Sequence, residues 1–161
     1  MLPFWLASQT VYVLRPAAIT RRIIQAVIRC IAPFFVVADL DAALAFYRDK
    51  LGFEVTFRGP EDGAFFGIVE RDAAMIMLKD VGVPPLPNSE RDNAARWDAY
   101  LCVPDPDALA GEFASCGVTF SAPLKDTTDG LRGFELRDAD GYVLFFGRTR
   151  GLTFTACPSA R

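Results

Sequence analysis

The stretch "VVADLDAALAFYRDKLGFEV", residues 36–55, decides the fold. An apolar, β-branched run ends at Val37, and Asp39 then offers a side-chain acceptor to the free N–H groups of a helix start. Leu40, Ala43, Leu44, Tyr47 and Leu51 recur at helix spacing and build one apolar face. Gly52 stands where a helix ends in the left-handed region. Upstream, "APFFVV" (32–37) has the composition of a short strand. Downstream, "FEVTFR" (53–58), "AFFGIVE" (64–70) and "AMIMLK" (74–79) have it too, with turns at 60–63 and 71–73.

The pattern then recurs. A proline-rich connector, 81–96, leads to "DAYLCV" (98–103), and Asp105-Pro106 opens a helix over 107–116 with proline in its first turn. Leu109, Phe113 and Cys116 mark its buried face, and Gly117 closes it. Strand patterns follow at 118–123, 132–137 and 142–148, the last two joined by the hairpin signal "DADG". Asp39 and Asp41 register with Asp105 and Asp107, Gly67 with Gly133, and residues 71–73 with 137–139, all at a separation of 66 positions. The expected fold is α+β: two tandem βαβββ modules, 31–80 and 97–148, forming a curved mixed sheet around a cleft with helices on the outer face. Residues 1–30 are expected to be an extension ahead of this body and 149–161 a tail.

Composition narrows the functional classes. The chain of 161 residues is 52% hydrophobic, enough for one domain with a real core. No apolar run reaches the roughly eighteen residues that a membrane helix needs. There is no histidine, which removes Ser-His-Asp and Cys-His nucleophiles and every metal site built on imidazole. Four cysteines without C-x-x-C spacing read as buried or incidental thiols of a reducing compartment, hence a cytoplasmic protein. All 20 acidic residues lie between Asp39 and Asp140. Against them, residues 31–148 hold 11 Lys or Arg, so this body carries a net charge of −9. That charge disfavours nucleic acid and suits a cationic small molecule. Residues 1–30 hold four arginines and no acid, the bias of a targeting segment, unless they are a plain extension or a start assigned too far upstream.

The segment 36–55 resembles the V-x-D-[LV]-x-x-[AS]-x-x-F-Y-x-x-x-L-G-F signature of the vicinal oxygen chelate superfamily, which includes glyoxalase I, extradiol dioxygenases and bleomycin-resistance proteins. "FELRDADGYVLFF" (134–146) is similar to that superfamily's F-x-x-x-D-P-D-G-N-x-[IV]-E-[LF] signature. The resemblance covers roughly residues 31–148 and implies the fold more firmly than any one activity. Enzymatic members carry metal ligands on four strands, and counting from the shared motifs puts those positions at Ala32, Met77, Asp98 and Phe145. One carboxylate cannot satisfy a divalent ion, so no metal and no cofactor are expected.

Strand alternation assigns to the same face Ala32, Phe34 and Val36, then Phe65, Gly67 and Val69, then Met75 and Met77. From the second module it adds Asp98, Tyr100, Cys102, Gly133, Glu135, Val143 and Phe145. Phe34, Phe65, Met77, Asp98, Tyr100, Glu135 and Phe145 are the candidate ligand-binding residues, suited to a flat or cationic organic molecule through stacking and charge pairing. No residue is assigned a catalytic role. The resemblance implies a homodimeric, non-catalytic binder that sequesters an antibiotic-type small molecule. The alternatives are an enzyme of the lyase, isomerase or dioxygenase kind using the carboxylates Asp98 and Glu135, and a structural or regulatory module.

Overall fold

A computed structural model of the chain describes residues 30–92 and 94–151. The N-terminal segment and most of the C-terminal tail discussed above lie outside the described residues. The first module runs β1 (Phe34–Val36), α1 (Leu40–Leu51), β2 (Glu54–Gly59), β3 (Phe66–Arg71) and β4 (Ala74–Lys79). A short helix, α2 (Asn88–Arg91), interrupts the connector. The second module is β5 (Ala99–Cys102), α3 (Pro106–Ser115), β6 (Phe120–Asp126), β7 (Leu131–Arg137) and β8 (Val143–Thr149). The α+β class and the tandem modules are as expected. The strands divide between two four-stranded mixed sheets, ordered β1-β4-β3-β2 and β5-β8-β7-β6, in which the first strand pairs parallel with the last.

The two longer helices, α1 and α3, start as their sequences direct. The Asp39 carboxylate accepts from Ala42 N at 3.0 Å and that of Asp105 from Ala108 N at 3.0 Å, each satisfying an N–H with no partner inside its helix. Gly52 ends α1 at φ 67°, where any side chain would be strained. The apolar face of α1 (Leu40, Ala43, Leu44, Tyr47, Leu51) is buried against β2–β4, and α3 lies on β6–β8 in the same way. Phe113 of α3 meets Phe134 and Phe146 edge-on at 5.9 and 5.2 Å. Each such ring removed from water contributes on the order of 2–3 kcal/mol.

The repeat drifts along the chain. Phe34 pairs with Met77, whereas Tyr100, 66 positions beyond Phe34, pairs with Phe145, 68 positions beyond Met77. Ile68 pairs with Met77 and Glu135 with Phe145, a separation of 67. The hairpins differ as well: Asp72 and Ala73 alone join β3 to β4, while residues 138–142 join β7 to β8.

The longer hairpin fastens the modules together. Tyr142 stacks on Phe35 (4.2 Å, 10°) and donates its hydroxyl to Val36 O at 2.8 Å. Asp138 accepts from the Tyr47 hydroxyl at 2.8 Å and from the backbone N–H groups of Asp140 and Tyr142 at 3.0 and 2.9 Å. The short hairpin answers it across the seam, where Arg71 donates to Leu51 O at 2.6 Å, pairs with Glu112 at 2.9 Å and lies over the Phe113 ring. The described cysteines, Cys30, Cys102 and Cys116, are exposed free thiols rather than buried ones.

Burial pushes the Asp138 carboxyl up to about 6 from 3.8, against the pull of the Tyr47 hydroxyl and the two N–H groups. A raised native value means the fold favours the neutral acid. Its contribution is therefore complete below about pH 4 and is lost as pH rises through about 6, an effect of up to about 3 kcal/mol. Asp138→Asn removes this titration. The stability of wild type relative to Asp138→Asn, from urea unfolding, should fall between pH 4.5 and 7.5. A difference that stays constant across that range contradicts the assignment.

Candidate functional site

Within the second sheet, Phe134, Leu136, Leu144 and Phe146 face α3 and are fully buried. The opposite face carries Tyr100, Phe145 and Glu135 in one row, with Phe145 directly between the other two. Phe145 is only 1% exposed although it lies on the face turned away from α3. Trp97 stacks on its ring at 4.3 Å and 25°, and Tyr100 at 5.3 Å and 29°. Space for the ring comes from two glycines. A Cβ at Gly133 or Gly147 would stand 2.5 or 2.7 Å from Phe145 Cζ, closer than side chains approach.

Polar groups hold this stack in place. Glu135 Oε1 accepts from the Trp97 indole N–H at 2.8 Å, and the Tyr100 hydroxyl donates to Gly147 O at 3.2 Å. Desolvation, with a smaller effect of Cys102, raises the Tyr100 hydroxyl pKa above its ordinary value. Asp98 is engaged on both oxygens, Oδ1 by Asn88 N and Oδ2 by Val143 N, each at 2.8 Å. Asn88 Nδ2 in turn donates to Trp97 O at 3.0 Å. Asp98 thus ties the connector to β8, and with it the backbone that carries Trp97 over Phe145.

The first sheet presents a second aromatic face. Phe34, Met77, Ile68 and Phe57 pair successively across β1, β4, β3 and β2. Phe66 lies 6.1 Å from Phe34 and 5.8 Å from Phe57. Phe65 precedes β3 and its ring sits under the Lys79 ammonium at 5.6 Å. Phe34, Phe57, Phe65, Phe66 and Lys79 line a shallow hollow of about 350 Å³. Phe34, Phe57 and Phe65 are 52%, 49% and 46% exposed, a contiguous apolar patch.

The alternation expected for β3 is off by one residue. Gly67 and Val69 point at α1, not into the cleft: a Cβ on Gly67 would lie 2.9 Å from Leu44 Cδ2, and Val69 is fully buried. Phe66 and Ile68 take the places assigned to them, because a shift of one position reverses every side chain of a strand. Trp97 escaped the expected set because it lies one residue before the strand expected at 98–103. Phe57 did so because the expected face includes no residue of the 53–58 strand; β2 also carries an irregularity between Val55 and Phe57.

A third feature lies at the seam between modules. A cavity of about 780 Å³ opens between α3, β5 and the short β3–β4 hairpin, with Met75, Leu101, Leu109 and Phe113 in its wall and the Arg71–Glu112 pair at its side.

The metal of enzymatic vicinal oxygen chelate proteins does not fit these residues. The Phe145 ring fills the space above Gly133 and Gly147, and Asp98 spends both oxygens on backbone N–H groups. Among the described residues, no three Cys, Asp or Glu side chains gather in a way that could hold an ion.

Comparison with known proteins agrees with this architecture. No curated protein matches the chain at a significant level. Among solved structures, the chain is similar to the bleomycin-binding protein of bleomycin-producing Streptomyces verticillus, complexed with copper(II)-bleomycin. Identity is 25%, the match covers 77% of this chain and 98% of the other, and the TM-score is 0.58. It shares the fold of TnmS3, an antibiotic binding protein from Streptomyces sp. CB03234 (21% identity, 74% and 96% covered, TM-score 0.56). A glyoxalase-related enzyme from Clostridium phytofermentans has it too (16% identity, 77% and 97% covered, TM-score 0.61). The sequence model of the Glyoxalase/Bleomycin resistance protein/Dioxygenase superfamily matches residues 27–146, and the chain belongs to that superfamily.

Proposed function

We propose that this protein is a non-catalytic binder that sequesters a flat, cationic or aromatic small molecule of antibiotic type. The observation that carries the reading is the Trp97–Phe145–Tyr100 stack with Glu135 at its edge. The half-buried Trp97 ring and the exposed Tyr100 ring, beside a carboxylate, suit a planar cation through stacking, cation–π attraction and charge pairing. Two structural relatives are named for binding bleomycin and an antibiotic, which supports the same ligand class. Enzymatic use of Asp98 and Glu135 would need both carboxylates free to take a metal or a proton. Asp98 is instead occupied by the backbone, and Glu135 accepts the indole N–H. The fold alone does not decide activity.

The ligand-binding set we propose is Phe34, Phe65, Met77, Tyr100 and Glu135, with Trp97 added, Phe145 as the buried base of the stack and Asp98 as a positioning residue. We also propose a homodimer in which the exposed Phe34–Phe57–Phe65 patch of one protomer faces its partner and closes the pockets. The partners are then a small molecule and a second copy, not nucleic acid or a membrane. No described helix is long and apolar enough to cross a bilayer. Exposed free thiols favour a reducing compartment, which supports a cytoplasmic location.

Titration calorimetry against copper(II)-bleomycin and the planar cation proflavine tests the binding. Wild type should bind at least one, and Glu135→Gln should bind that ligand about tenfold more weakly, the loss of one partly desolvated charge interaction. Failure of wild type to bind either probe, or an unchanged affinity in Glu135→Gln, contradicts the reading. Sedimentation equilibrium tests the assembly. Wild type should run as a dimer and Phe34→Asp as a monomer of unchanged helix content, whereas a monomeric wild type removes the dimer from the account.

A further inference from the structure

The stack is not bare. Arg96, the residue before Trp97, places its guanidinium carbon 4.5 Å from the centroid of the Trp97 ring. Its Nη1 lies 3.1 Å from Asp129 Oδ2, in the turn between β6 and β7, and its Nη2 lies 3.6 Å from Glu135 Oε1. An indole face and two carboxylates therefore surround one planar cation, and the chain itself supplies that cation.

The surroundings are firmer than the occupant. Glu135 has 21% of its side-chain surface exposed and is fixed by the indole N–H at 2.8 Å. Trp97 is fixed by Phe145 beneath it and by Asn88 on its carbonyl. The Arg96 side chain is half exposed, and its longer contact with Glu135 exceeds hydrogen-bond distance. An ion pair in that setting adds little stability and costs side-chain entropy. An incoming cation can displace it, at the loss of its contact with the Trp97 face.

We propose that Arg96 is a built-in stand-in for the ligand: its guanidinium occupies a cation subsite formed by the Trp97 face, Glu135 and Asp129, and a bound ligand replaces it with a planar, delocalised cation of guanidinium or amidinium type. This rests on the binding reading above and deepens it, naming both the cationic group and the residue that competes with it. A guanidinium is planar and weakly hydrated, so it can lie on an indole while its edge meets carboxylates. An ammonium is a compact, strongly hydrated point charge and loses more on leaving water. The subsite therefore selects amidinium over ammonium. Arg96 competes for it and lowers the apparent affinity of every such ligand.

The test uses the full chain with Arg96→Ala and, as a second variant that keeps a polar side chain, Arg96→Gln. The probes are benzamidine, its neutral relative benzamide, and benzylamine, followed by the indole N–H resonance of Trp97, whose proton is held by Glu135. Both variants should bind benzamidine about tenfold more tightly than wild type, the scale of one cation–π contact released from internal competition. They should gain less for benzylamine and nothing for benzamide. Adding Glu135→Gln to either variant should erase the gain. Equal benzamidine affinity in wild type and variants overturns the proposal. An equal gain for benzamide does so too, because it would mean that removing Arg96 merely uncovers apolar surface. The two readings fail separately. If wild type binds no antibiotic while the charge-dependent gain appears, the subsite stands and the sequestration role falls. If wild type binds antibiotic and the gain is missing, the reverse holds.

Discussion

Phe145 can lie flat on the second sheet only because Gly133 and Gly147 raise no side chain beneath it. That packing constraint governs the rest of the site. A ring seated there occupies the position at which the resemblance to metal-dependent relatives puts a ligand carboxylate, and it offers its other side to Trp97 and Tyr100. The same element that excludes an ion creates a stacking surface. Glu135 is the charge left in the row, and it is oriented by the indole N–H rather than by a metal.

The seam between modules holds that surface on a rigid base. Asp138 accepts three hydrogen bonds, one of them from Tyr47 on the first module's helix, so the β7–β8 hairpin is fixed at its turn. The strand that carries Phe145 begins one residue beyond Tyr142, which is clamped between Phe35 and Val36 O. The short β3–β4 hairpin has no aromatic to match Tyr142. The cavity beside α3 lies on that side of the seam. The asymmetry of two hairpins thus separates a filled seam from an open one.

Much of the fold was legible because it follows local rules. Asp39, the apolar spacing from Leu40 to Leu51 and Gly52 specify α1, which the structure has over Leu40–Leu51. The repeated order of elements was legible for the same reason. The face of β3 was not: "AFFGIVE" is apolar on both sides, so alternation gives it no direction, and only pairing with β2 and β4 sets Phe66 and Ile68 opposite Gly67 and Val69. At the candidate site, Phe145 and Glu135 could be located from the motif around 134–146. The contacts of Asp98 with Asn88 and Val143, and of Arg96 with Asp129 and Glu135, join distant parts of the chain, and no local pattern encodes them.

The aromatic row of the second sheet, and not the larger cavity at the seam, is the proposed ligand site. The most direct measurement is a two-dimensional amide and indole NMR titration of the full chain with proflavine. Shifts should centre on the Trp97 indole N–H and on the backbone amides of Phe145, Gly133 and Gly147. Shifts confined to Met75, Leu101 and Leu109 around the seam cavity would contradict it.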